Sequence, residues 1–224
     1  MSDSDSFIEE VTEEVRRDQL FRFFRKHGWI VGLAVVLVVG GVAFHGLRKA
    51  SDRAAAQALG DSMLAALQLD NSDAQVVALD EVAEKAGDAR VLALLQKAAA
   101  QINAGDRQGA AATLDAVAGS EDAEPLYRDL ALLKLVMLRG PDMPDADRMA
   151  ALDRLSTPGE PFRLLALEQR AIAALERNDR DAALADLKSI LEDPEAVSDL
   201  RQRARRLTIA LGGEPPPRVA SENG

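Results

Sequence analysis

Two imidazoles, no thiol and a surplus of carboxylates are all the chain offers for chemistry. His27 and His45 are the only histidines and cysteine is absent, so thiolate zinc sites, cysteine nucleophiles and disulfide frameworks are excluded. A shared metal or proton relay would need the two imidazoles to meet, yet they bracket an apolar run about one bilayer thickness long. No GxxxxGK(S/T) phosphate loop, GxSxG elbow or HExxH helix occurs. Acid pairs such as Glu121 with Asp122 and Glu192 with Asp193 fall at expected turns, where solvated charge is the default. The polar and aromatic residues that hold a sugar beside a carboxylate pair are scarce. The expectation is a protein with no catalytic residues, cofactor or metal. A formal charge of -10 also removes the basic surface that nucleic acid requires.

The elements that would carry a binding function are legible in composition. Of 224 residues 47% are hydrophobic and only 4% aromatic, so a core must be assembled from Ala, Leu and Val, and the Ala and Leu content favours helix. Between Lys26 and Arg48 runs HGWIVGLAVVLVVGGVAFHGL, free of formal charge with both histidines neutral. Its length and hydropathy predict a single transmembrane helix, drawn at 28–47, with Trp29 at one interface. The competing reading is a cleavable signal peptide with Gly41 and Ala43 at the cleavage site; the long acidic stretch ahead of the run argues against it. Arg16, Arg17, Arg22, Arg25 and Lys26 precede the run, against Arg48, Lys49 and Arg53 after it, a bias toward N-terminus inside. The preceding residues, 1–27, form a cytoplasmic segment in which Ile8, Val11, Val15, Leu20 and Phe24 share one face of an amphipathic helix.

Beyond the run the sequence repeats itself. ARVLALLQ from Ala89, YRDLALLK from Tyr127 and FRLLALEQ from Phe162 align on Ala93, Ala131 and Ala166, at separations of 38 and 35 residues. Each is followed by a second word: DRQGA from Asp106, DRMAA from Asp147, DRDAA from Asp179. LDEVA from Leu79 matches LDAVA from Leu114, which reveals a fainter, earlier unit. Gly105 and Asn178 suit left-handed helix ends, and Asp106 and Asp179 suit the caps that follow. The turn GPDMP from Gly140 to Pro144 absorbs the longer spacing of the middle unit. The predicted architecture is all-α: one transmembrane helix, then an α-solenoid of about four helical hairpins over residues 48–211 with a capping helix from Ser198 to Leu211. The stretch 212–224, GGEPPPRVASENG, is expected to be a disordered tail.

The period of about 34 residues and the small residues Ala110 and Ala183 opening the second helices resemble degenerate tetratricopeptide repeats. The usual Trp, Gly and Tyr of the first helix are missing. By analogy with that class, the groove side of the first helices includes Leu95, Asn103, Leu133, Met137, Glu168 and Ile172, the expected partner-binding residues. The order of parts, with EEVRRDQLFRFFRKHGW from Glu13 to Trp29 as its most specific stretch, is similar to YfgM-type ancillary subunits of the bacterial Sec translocon. That resemblance implies a single-pass inner-membrane protein with a cytoplasmic N-terminus and a periplasmic repeat domain. Its implied partners are the Sec translocon, a membrane-anchored periplasmic chaperone of the prolyl-isomerase-like class and unfolded exported proteins, with membrane lipid around the anchor and no nucleic acid. The alternative is an envelope scaffold or signalling regulator acting through the cytoplasmic segment.

Overall fold

A computed structural model describes His45, Ala50 and residues 53–216, the side chain of Asp88 apart. The segment 1–27, the expected span 28–47 apart from His45, and the end of the tail lie outside these residues. Among the described residues no helix is long and apolar enough to cross a membrane. The chain divides into two compact units, residues 1–60 and 61–224, and the repeats occupy the second.

The second unit is helical throughout, with no strand among the described residues. Helix α1 is described over residues 53–67 and runs into this unit. It is followed by α2 (Ser72–Lys85), α3 (Arg90–Asn103), α4 (Arg107–Ala118), α5 (Pro125–Arg139), α6 (Asp145–Leu155), α7 (Arg163–Glu176), α8 (Arg180–Glu192) and α9 (Ser198–Ala210). Short 3-10 turns at Gly87–Ala89 and Gly140–Asp142 join α2 to α3 and α5 to α6. The second of these opens GPDMP, yet α6 begins 14 residues after Ala131, as α4 does after Ala93 and α8 after Ala166; the turn therefore absorbs no extra spacing, and DRMAA lies inside α6 instead of capping it.

Local chemistry sets the helix ends. Asp106 and Asp179 accept from the backbone N–H of Gly109 (2.8 Å) and Ala182 (3.0 Å), satisfying otherwise orphaned donors at the starts of α4 and α8. The two residues before these caps, Gly105 at φ +82 and Asn178 at φ 60, take the left-handed conformation that turns the chain. Pro125 stands in the first turn of α5, where its missing N–H costs nothing. In the faint first hairpin Gln75 occupies the column of Ala110. Its amide donates to Leu67 O (3.1 Å) and Leu69 O (2.7 Å), tying off the end of α1.

Four overlapping clusters make up the core. Ala66, Leu79 and Ala100 join α1, α2 and α3. Leu95, Ala110, Leu114 and Leu135 join α3, α4 and α5. Leu133, Leu152 and Ala166 join α5, α6 and α7, and Leu167, Ala183, Leu187 and Leu200 join α7, α8 and α9. Every cluster therefore closes one hairpin against the first helix of the next, and the main helix contacts are between sequence neighbours. This is the packing of a helical solenoid. Leu79, Leu114, Leu152 and Leu187 form one column of second-helix leucines, all fully buried. Each is worth about 1.5–3 kcal/mol of apolar burial. Ala110 and Ala183, four residues before Leu114 and Leu187, are also buried and leave room for close helix approach, whereas the same place before Leu152 is taken by the buried Arg148.

In α9 Leu200 and Ala204 face the core, while Arg203 and Arg206 are exposed, as a terminal cap requires. The tail departs from expectation at its start. Gly212 turns the chain at φ +71, the N–H of Gly213 donates to Thr208 O (2.9 Å), and Arg205 donates to Pro216 O (3.0 Å). A Cβ at Gly213 would stand 2.8 Å from the Leu184 side chain. Lack of a side chain is what lets this polar stretch lie against α8 and α9, a packing that hydropathy does not register. The rest of the tail lies outside the described residues.

Candidate functional site

The repeat alignment assigns the exposed apolar residues of the first helices, Leu126 apart, to columns. Leu64 of α1, Ala99 of α3, Met137 of α5 and Ile172 of α7 share one; Leu64 and Met137 are 58% and 56% exposed, Ala99 and Ile172 half-buried. A second column, one residue before the invariant alanine, holds Leu92, Leu130 and Leu165, of which Leu92 and Leu165 are exposed and Leu130 is half-buried. The two columns lie seven residues apart on each helix, two turns, so they fall on one face. Leu67 and Ile102, equivalent to one another and both exposed, stand three residues further along that face. The first helices of all four hairpins thus present an apolar stripe. Scattered surface leucines need no explanation, but a column repeated from hairpin to hairpin does.

Met137 is fully on this stripe, Ile172 is half-buried within it, and Asn103 is exposed beside Ile102. Leu95, Leu133 and Glu168, the other expected groove residues, share a column that is buried between helices. They stand four residues before Ala99, Met137 and Ile172 on the same helices and are covered by the neighbouring helices. Leu95 and Leu133 pack in the clusters of α4 and α6. Glu168 accepts from Arg203 Nε (2.7 Å) and Nη2 (2.8 Å), which clamps α7 to α9. Leu64, Leu67, Leu92, Ile102 and Leu165 were missed by the sequence reasoning. Their signal was present: the leading leucine of Leu-Ala-Leu recurs in all three first words, and only the central alanine is needed for packing.

Charged side chains stitch the array beneath the stripe. Asp80 of α2 pairs with Lys97 of α3, and Asp153 of α6 pairs with Arg170 of α7 (3.1 Å) at the same spacing of 17 residues. Arg170 also reaches forward to both oxygens of Asp186 on α8 (2.6 and 2.9 Å) and to Ser156 Oγ (2.9 Å). The hydrogen bond and charge of Asp186 raise its already high pKa against the opposing effect of burial. The Arg203 guanidinium is held protonated more firmly in the same way, chiefly by Glu168. Arg148, almost fully buried on α6, reaches Glu176 of α7, but its Nε has no partner.

Of the two acid pairs at turns, Glu121 and Asp122 are exposed between α4 and α5. Asp193 is not simply solvated. Burial pushes its carboxyl up, but the Glu195 N–H (2.8 Å) and the Arg163 guanidinium outweigh this and hold it below the ordinary carboxylate range. It is a fastener between α7 and the turn leading to α9. Among the described residues no group of three or more His, Asp or Glu side chains is placed to hold a metal.

A helical-repeat array with a continuous apolar stripe on its first helices is the class of molecule these features define. The chain belongs to the DUF2659 family, whose description is protein of unknown function, with the match extending over residues 3–211. No curated protein and no solved structure matches it.

Proposed function

We propose that the protein is a membrane-anchored interaction module at the bacterial Sec translocon, where its tetratricopeptide-like periplasmic domain helps hand newly exported chains to chaperones. The observation that carries this reading is the stripe of Leu64, Leu92, Ile102, Met137 and Leu165, repeated over four hairpins. An extended client emerging from a channel presents apolar side chains at irregular spacing, and a long strip of Leu and Met accommodates these without demanding a sequence. The uncharged run between Lys26 and Arg48 supports a single anchor in the inner membrane. Anchoring beside the channel raises the local client concentration, so contacts of micromolar to millimolar strength suffice. The likeness to YfgM-type subunits supplies the translocon and a membrane-anchored chaperone as partners.

A photoreactive residue at Met137 in the full-length protein, activated in native membranes, tests the proposal. Cross-links to the Sec channel, to nascent exported chains or to a periplasmic chaperone are expected. Labelling confined to lipid or to cytoplasmic proteins overturns it.

A further inference from the structure

The small residue that lets α4 and α8 pack closely is missing from the middle hairpin. Ala110 and Ala183 are fully buried four residues before Leu114 and Leu187, and Arg148 takes that place before Leu152. A guanidinium on a long stem, where the equivalent helices have one methyl group, holds α6 off its neighbours. Of the junctions between successive helices from α2 to α9, the two made by α6 are the sparsest. Its start is also less firmly tied, because Pro144 stands where Asp106 and Asp179 cap α4 and α8, and no side chain caps it. Charge holds α6 instead, and the two sides differ. Toward α7 there are three pairs: Arg148 with Glu176, Asp153 with Arg170 (3.1 Å) and Asp145 with Arg177 (3.6 Å). Toward α5 Arg154 meets the buried Asp129 (2.7 Å), beside the apolar packing of Leu152 and Leu155 with Leu133 and Val136. The chain crosses this looser side at Gly140, whose φ of +50 suits glycine and where no neighbour lies within 4 Å of the place a Cβ would take.

We propose that the seam between α5 and α6 is a joint, about which residues 145–211 turn as a block against residues 61–139, with Gly140 as the pivot and the pair of Arg154 with Asp129 as the fastener. The three charge pairs carry α6 along with α7. Leu64, Leu92, Ile102 and Met137 of the apolar stripe stand on one block, and Leu165 and Ile172 stand on the other. Turning the joint changes the angle between these two parts, so one stripe can meet occupants of different curvature. That use rests on the stripe being a binding face. The joint itself does not depend on what the stripe binds.

The test exploits the absence of cysteine, which lets spin labels be placed in pairs on the full-length protein in detergent. Val77, Ala112, Ala150 and Ala185 are exposed and stand two residues before Leu79, Leu114, Leu152 and Leu187, so neighbouring pairs are equivalent except for the seam. The distance between labels at Ala112 and Ala150, which crosses the joint, is expected to be about twice as widely distributed as those of Val77 with Ala112 and Ala150 with Ala185. Asp129→Asn, which weakens the fastener, should widen it further. Arg148→Ala, which restores the small residue, should narrow it toward the other two. Equal widths for the three pairs in the wild-type protein overturn the proposal, whatever the variants do. A crossing distance whose width neither substitution moves, in variants that keep the wild-type circular dichroism, also overturns it. Label widths in the isolated protein are independent of cross-linking at Met137, so failure of the joint and failure of the binding reading are distinguishable.

Discussion

Glu168 and Arg148 are both buried charges paired across helices, yet they should respond oppositely to removal. Glu168 satisfies two donors of Arg203, and its loss leaves α9 without that clamp. Arg203 is partly exposed and recovers water, so Glu168→Ala is expected to cost about 1–3 kcal/mol, read by urea unfolding of the full chain. Arg148 already has a buried Nε without a partner, and Glu176 lies at the surface. Arg148→Met removes an unsatisfied donor while keeping the side-chain volume, and a change within about 1 kcal/mol is expected in the same assay. Asp193 supplies a pH signature. Its folded-state pKa is depressed, so its contribution is complete above the ordinary carboxylate range and is lost as pH falls through its own lower value. Melting temperature should fall from about pH 5 to about pH 2, and Asp193→Asn should flatten part of that acid limb. None of these pairings is legible in the sequence. The acid and base of each lie up to 35 residues apart in a chain rich in both, and only helix phase brings them together.

At the scale of the helices, the two columns that hold the array predict opposite errors. Leu152→Ala empties a position at the centre of the α5, α6 and α7 cluster and should cost about 2–5 kcal/mol. Ala183→Leu overfills the close approach within the last hairpin and should cost about 1–3 kcal/mol. Differential scanning calorimetry of each variant checks both. These columns were readable from the sequence because repetition marks what packing cannot vary: the alanine of each first word, Ala110 and Ala183 of the outer second words, and the Asp106 and Asp179 caps recur where the structure uses them, whereas DRMAA sits three residues out of register and Arg148 takes the small residue's place. The exposed face was harder to read. A stripe is set by the helix's rotation about its axis, and a shift of one residue turns a side chain by about 100°. Leu95, Leu133 and Glu168, expected on the groove side, face inward, whereas Met137, four residues after Leu133, faces out. Gly213 illustrates a different blind spot, since a glycine that packs by having no side chain carries no hydropathy signal.

The molecule as a whole is a linear succession of overlapping cores, and its stability should be graded along the chain. Helices α4 to α7 lie in the middle of the succession, whereas α1 has no preceding neighbour among the described residues and α9 no following one. Hydrogen exchange of the full-length protein should show the slowest amides in α4 to α7 and progressively faster ones toward α2, in hairpin-sized blocks. Uniform protection, collapsing in a single step with denaturant, would contradict a nearest-neighbour array. The all-helical repeat architecture was legible because it is written three times over. The run between Lys26 and Arg48 was read as a span from length and hydropathy alone, and all of it but His45 lies outside the described residues.

Since each cluster unites a hairpin with its immediate successor, no closing cluster among the described residues fixes how many blocks the array contains. Excising or duplicating one block between matching cuts, such as the turns after Asp142 and Arg177, would rejoin seams of the same type. Reach is therefore a quantity that gene-level splicing can adjust in steps of about 35 residues, without redesigning anything at either terminus.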